Sequence, residues 1–162
     1  MSTQSMLTIG AMVLLTLTSM RFNSSALSNL TAEIENKVYL TAFSLADDLI
    51  EEIKQKAYDE QTVEFRSINP AELTAPAGIG PDSAEVWPNF DDIDDYDGFS
   101  KNINLPHVEN YHVTSTVTYV QAADPDQVSG TQTFFKKVEV EVSSPYLRDP
   151  ITMSFIFTLH SK

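Results

Sequence analysis

The chain has 162 residues, a formal net charge of -13 and no cysteine. That length holds one globular domain plus a long helix. The absent cysteines exclude a disulfide framework and thiolate metal sites, and the acidic balance argues against nucleic acid as a partner, because it repels phosphate backbones.

The first predicted element is a helix. No Pro or Gly, the residues that punctuate helices, occurs between Ala11 and Asn69. From Met1 to Met20 no side chain is charged; Arg21 is the first and Glu33 the next. Met6, Leu7, Ile9, Met12, Val13, Leu14, Leu15, Leu17 and Met20 make this stretch apolar on every side. After Ala26 the pattern becomes amphipathic. Leu27, Leu30, Ile34, Val38, Ala42, Leu45, Leu49, Ile53 and Ala57 step by three or four, with Glu33, Glu35, Lys37, Asp47, Asp48, Glu51 and Glu52 opposite. The pattern predicts one helix of roughly 55 residues, about 80 Å long at 1.5 Å per residue. It frays near Tyr58–Gln61. The first half needs burial all round, in lipid or among copies of itself, and the second half needs one covered stripe. The chain therefore divides into an apolar helical stalk, 1–26, and a head, 27–162.

The apolar start admits three readings. Ser24-Ser25-Ala26 resembles a signal cleavage site, but no Lys or Arg precedes Met6 as a secretory signal requires. A permanent transmembrane helix is the second reading, although Ser5–Met20 is short of the span of about 20 apolar residues and contains Thr8, Gly10, Thr16, Thr18 and Ser19. The third is a segment held in the membrane and later buried in a helical bundle, where small residues permit close approach. Asn23-Ser24-Ser25 and Asn29-Leu30-Thr31 match the glycan acceptor pattern but lie inside the helix, and are read as polar stalk residues.

Beyond the helix, Thr62–Ile68 alternates as a short strand with Val63 and Phe65 on one face. Residues 69–104 form an irregular connection with Pro70, Pro76, Pro81, Pro88, Gly78, Gly80, Gly98 and the acid run Asp91–Asp97. Trp87, Phe90, Tyr96 and Phe99 supply its own packing. From Tyr111 to Val120 the alternation is clean, with Tyr111, Val113, Val117 and Tyr119 on one face. Asp124-Pro125-Asp126 and Ser129-Gly130 mark a long hairpin loop. Phe134, Val138, Val140 and Val142 then share a face, opposite Phe135, Lys137, Glu139 and Glu141. Ile151, Met153, Phe155, Phe157 and Leu159 form the inner face of a last strand. These strands make an antiparallel meander over 111–160. Its apolar face is expected to lie on the helix through Leu27, Leu30, Ile34, Val38, Leu45, Leu49 and Ile53. The fold class is α+β.

An apolar stalk on an acidic head exposes more contiguous apolar area than a monomer tolerates. Copies that share their stalks through a non-closing contact form a filament. At this point the chain resembles the type IV pilins and pseudopilins, in its apolar-to-amphipathic helix, its irregular connection and its C-terminal meander. Phe90-Asp91-Asp92-Ile93-Asp94-Asp95-Tyr96-Asp97-Gly98-Phe99 looks like a segment of MSHA-type minor pilins. So does Lys136-Lys137-Val138-Glu139-Val140-Glu141-Val142 with its following Asp149-Pro150-Ile151.

The resemblance implies a lollipop subunit, stored in the inner membrane and polymerised by pilus assembly machinery into an extracellular surface filament with Met6–Met20 in its core. A pseudopilin of a type II secretion-like machine is the close alternative. The family usually has a basic leader and a Glu at the fifth mature position. Here that position is Ser5, and Ser2, Thr3, Gln4 and Ser5 are expected to hydrogen-bond a terminal amine instead if Met1 begins the mature chain. The family's helix-loosening Pro is absent, so the helix should be more continuous. A reading from another class remains: a monomeric, membrane-anchored, extracytoplasmic binding module.

No enzyme signature stands out. Gly78-Ile79-Gly80-Pro81-Asp82-Ser83 lacks the third glycine and following helix of a nucleotide cradle. His107, His112 and His160 are scattered, with no metal-binding or nucleophile spacing. The acid run suggests Ca²⁺, but counting back from Gly98 as the sixth position of an EF-hand loop puts Ile93 first and Asn104 twelfth, where acids are required. A solvated or loop-capping role is expected for it, with no catalytic, cofactor or metal residues assigned.

Overall fold

The structure is a computed structural model describing residues 2–64, 69–83, 85–106 and 108–159. The chain divides into two compact units, Met1–Val38 and Tyr39–Lys162. One helix, α1 (Thr3–Ile53), runs unbroken for 51 residues. The absence of Pro allows this.

Within the first unit, every described residue from 2 to 37 is exposed apart from half-buried Ser5. The predicted stripe residues Leu27, Leu30 and Ile34 are 58%, 56% and 59% exposed, so the buried stripe starts at Val38 and not at Leu27. A helical ridge is covered only where another element runs beside it.

In the second unit α1 buries Ala42, Ala46, Leu49, Ile50 and Ile53, with Leu45 half-buried. Small alanines at 42 and 46 let neighbouring side chains come close. The helix stops at Ile53, earlier than expected, because its end tightens: Gln55 N donates to Glu52 O at 3.1 Å and Lys56 N to Ile53 O at 3.0 Å. The chain then pairs with the connection, Ala57 N donating to Asp91 O and Ile93 N to Ala57 O, both at 3.0 Å.

The strand expected over Thr62–Ile68 is not formed where it is described. Glu60–Glu64 is a short helix, α2, started by Asp59, whose Oδ1 accepts from Gln61 N at 3.2 Å and whose carbonyl accepts from Thr62 N at 2.7 Å. The cap overrides the β pattern locally; Phe65–Ile68 lie outside the described residues. Among its described residues the connection contains three 3₁₀ turns, Pro70–Glu72, Pro76–Gly78 and Asp94–Tyr96.

The sheet is antiparallel and five-stranded: β1 (Ser100–Leu105), β2 (Val108–Gln121), β3 (Asp124–Val128), β4 (Phe135–Ser143) and β5 (Ile151–Thr158). Its order is β1-β2-β4-β5, with β3 paired to β2. The expected meander corresponds to β2, β4 and β5. The core face carries Tyr111, Val113, Val117 and Tyr119 from β2 and Val138, Val140 and Val142 from β4, opposed in register as Val113–Val142 and Val117–Val138.

Two strands are additions. In β1 only Ile103 and Leu105 are apolar, but Lys101 shares their face and its ammonium lies 3.7 Å from the centroid of the Trp87 ring. β3 is exposed throughout, so no burial pattern announces it; it pairs with β2 at Gln121–Asp124 and Val120–Val128, and Asp126 Oδ1 lies 3.4 Å from Lys137 Nζ on β4. At the edge, β5 buries only Ile151; Met153 and Phe157 are half-buried and Phe155 is exposed. Lys54 covers Phe155 at 4.3 Å from its ring centroid.

Candidate functional site

Two features stand out: the surface of α1 in the first unit, and a buried charge cluster in the second. The surface of α1 is built from side chains that no local feature would hide. Met6, Leu7, Ile9, Met12, Val13, Leu14, Leu15, Leu17 and Met20 are each between 51% and 73% exposed, and Phe22 is 79% exposed. Monomers seldom expose an apolar patch beyond a few hundred Å², and larger ones mark protein or membrane contacts. α1 is long and apolar enough to cross a membrane by length and composition.

Four threonine hydroxyls along this helix turn back onto its own carbonyls. Thr16 Oγ1 donates to Met12 O at 2.8 Å, Thr18 Oγ1 to Leu14 O at 2.9 Å, and Thr31 Oγ1 to Leu27 O at 3.1 Å. Thr8 Oγ1 turns back in the same way toward Gln4 O and Ser5 O. With these four threonine donors already satisfied, burying the helix in an apolar setting strands none of their protons. Exposed Leu40 and Phe43 also lie off the buried stripe, and the sequence reading did not single them out. Their spacing of three was the available signal.

The acid run is placed differently from a solvated charge run. Asp92, Asp94 and Asp95 are buried, as is Asp59. Two of them, Asp59 and Asp94, meet Lys136, fully buried on β4. Its Nζ reaches Asp59 Oδ2 at 2.7 Å, Asp94 Oδ1 at 2.6 Å and the Tyr58 carbonyl at 2.9 Å. Lys136 shares strand parity with Val138 and Val140, which was the legible sign that it points inward.

Asp59 is the hub. It also accepts from Thr74 N at 3.1 Å and Thr74 Oγ1 at 3.0 Å, and the Tyr119 hydroxyl lies 3.0 Å from its Oδ2. Burial raises the pKa of Asp59, but the Lys136 charge and hydrogen bond prevail and hold it below the usual carboxylate value. Asp92 and Asp94 lack that saturation. Burial first, then neighbouring Asp94 and Asp95, pushes Asp92 up to about 8. Burial outweighs Lys136 at Asp94 and pushes it up to about 6.

The loop-capping role holds in part of the run. Asp95 Oδ2 accepts from Asp91 N at 3.0 Å, Asp92 Oδ1 from Asp95 N at 3.1 Å, and Asp97 Oδ1 from Val117 N at 2.8 Å. The aromatic filling is also as expected. Phe90 and Tyr96 meet edge-on at 5.0 Å, and the Tyr96 hydroxyl and Trp87 indole both donate to Glu52 Oε1, at 2.8 and 3.1 Å. His112 is exposed and lies 2.8 Å from Asn102 Oδ1 through Nδ1. His107 and His160 lie outside the described residues.

No protein-family model, curated protein or solved structure matches this chain.

Proposed function

We propose that this chain is a pilin-like structural subunit that polymerises through its N-terminal helix into an extracellular filament. One observation carries the reading: a continuous helix in which residues 3–37 expose a large apolar surface. Such a surface requires a dry environment, and many copies supply one to each other. Before assembly the same surface suits the inner membrane. The sequence resemblance to pilins supports the same reading. The protein's role is structural, with no chemistry asked of its residues.

Leu14→Asp or Leu17→Asp tests this directly. A lone carboxylate in a dry helical core costs several kcal/mol. Filament yield should fall to nothing while the sheet-containing unit keeps its wild-type unfolding curve in detergent. Filaments of normal yield from either variant would sink the proposal.

The second reading, a monomeric module anchored in lipid by Met6–Met20, rests on the same helix, which is long and apolar enough to cross a membrane. It predicts that the chain is recovered only with detergent or membrane and never as a polymer.

A further inference from the structure

The sheet ends at β5, which pairs with β4 on one side. Leu159 N donates to Phe134 O at 3.0 Å. Antiparallel bonding alternates, so the bonded pairs with β4 continue through Phe157–Lys136, Phe155–Val138, Met153–Val140 and Ile151–Val142. The residues between them, Thr152, Ser154 and Ile156, turn their backbone N–H and C=O groups away from β4. Among the described residues no backbone partner takes up those groups.

An open strand edge is a template for another strand, and proteins blunt it with charge, proline, bulges or shortness. β1, at the opposite edge, carries Lys101 and a break in register between Ile103 and Leu105. β3 is five residues long and contains Asp124, Pro125 and Asp126. β5 has none of these devices: Ile151–Thr158 contains no charge, Pro or Gly, in a chain of net charge -13. Its core-facing side is also incomplete. Phe155 opposes the buried Val138 yet is 39% exposed, with Lys54 over its ring.

We propose that β5 pairs antiparallel with β5 of a second copy of this chain, about a two-fold axis at Ser154. The edge itself selects this partner, because it is self-complementary in that register. Ser154 meets its own counterpart and Thr152 meets the partner's Ile156, which gives about six N–H···O bonds at two per bonded pair. The pairing stops where Thr158 comes opposite the partner's Pro150, which has no N–H to give. On the core face Phe155 lies opposite the partner's Met153 and Phe157 opposite the partner's Ile151, in the closer non-bonded pairs, so the apolar strip runs on across the contact. On the outer face the charges agree. The row through Thr152 and the partner's Ile156 has Glu141 at one end and the partner's Lys137 at the other. The Glu139 residues of the two copies stand three strand spacings apart, about 14 Å, beyond the Debye length of about 8 Å. A strand of unrelated sequence would satisfy the same backbone groups but not this match of side chains and charge. The contact is isologous and closes on two copies, so it is distinct from the open contact through α1 and does not depend on the filament reading.

The test is disulfide trapping. The chain has no cysteine, so one introduced thiol reports its own contact. Ser154→Cys, Thr152→Cys and Thr116→Cys are compared in the full chain in detergent micelles, oxidised in a glutathione redox buffer. All three side chains are exposed, and the register places them on the same face of the sheet. Two Ser154 Cα atoms in a bonded pair lie about 5.5 Å apart, within disulfide reach. Two Thr152 Cα atoms lie about 14 Å apart along the strands, out of reach. The expected result is a linked dimer from Ser154→Cys that forms at least about ten-fold faster than from either other variant, as this geometry requires. Association of stalks within a micelle would speed all three alike. Equal rates at the three positions overturn the proposal. So does the absence of a dimer from Ser154→Cys, the outcome if the edge takes a strand of another protein.

Discussion

Residues 3–37 and residues 39–159 use the same chain chemistry to opposite ends. In Met1–Val38 only Arg21, Glu33, Glu35 and Lys37 are charged, and the large apolar side chains are exposed. In Tyr39–Lys162 charge is abundant and some of it is buried, around Lys136, while valines and tyrosines fill the core. The first region does not complete its hydrophobic burial within the described residues. The second completes its own, and its polar groups decide which elements meet. Asp59 alone joins α2, the loop at Thr74, β2 through Tyr119 and β4 through Lys136.

That contrast can be broken from either side. The largest effect is expected from Lys136→Met. It removes the ammonium from between Asp59 and Asp94 and leaves two buried carboxylates without their cation, at a cost of about 3–5 kcal/mol. Urea unfolding followed by the single Trp, Trp87, should show a midpoint far below the wild type, with the helicity of residues 3–37 in micelles retained. An unchanged midpoint would remove Lys136 from the centre of the second unit.

A smaller effect is expected from pH. Asp92 and Asp94 hold protons in the folded state up to about 8 and about 6, whereas an unfolded Asp loses its proton near the ordinary value. The folded state thus binds more protons between those limits, and stability falls as pH rises from about 4 to about 8. Asp59 acts in the opposite sense and only in acid: its depressed pKa contributes stability above the ordinary carboxylate value that is lost as pH falls below it. The melting midpoint of the second unit should therefore peak near pH 4–5 and decline toward pH 8. A midpoint that rises steadily from pH 5 to pH 8 would contradict the placement of Asp92 and Asp94.

The smallest effect belongs to the exposed helix surface. Glu33 and Lys37 pair at 2.9 Å with side chains 60% and 73% exposed. Lys37→Gln should change stability by only a few tenths of a kcal/mol, as solvated i,i+4 pairs do. A measured loss above about 1 kcal/mol would mean that this surface is not solvated as it stands.

What could be read from the sequence follows the same division. The long helix and the strands β2, β4 and β5 were legible because burial periodicity writes them directly: Val113, Val117, Val138, Val140 and Val142 alternate with polar residues. β1 and β3 were not, since Ser100–Leu105 is mostly polar and Asp124–Val128 is wholly exposed. The helix over Glu60–Glu64 was missed because a capping Asp59 outweighed a short alternating pattern. The burial of Asp94 could not be read from the acid run itself, because its counter-charge lies on β4, some forty residues away at Lys136. The extent of the stripe was overstated at Leu27, Leu30 and Ile34, since periodicity identifies a face and not what covers it.

The central claim is that the exposed surface of residues 3–37 is completed by other copies of this chain. Electron microscopy of native material shed from cells, with mass spectrometry of the same fraction, tests it most directly. The account predicts long, uniform filaments in which this chain is a structural component and whose peptides include Met6–Met20. Recovery of the chain solely from detergent-soluble membranes, with no filament containing it, would contradict the account and favour the anchored module.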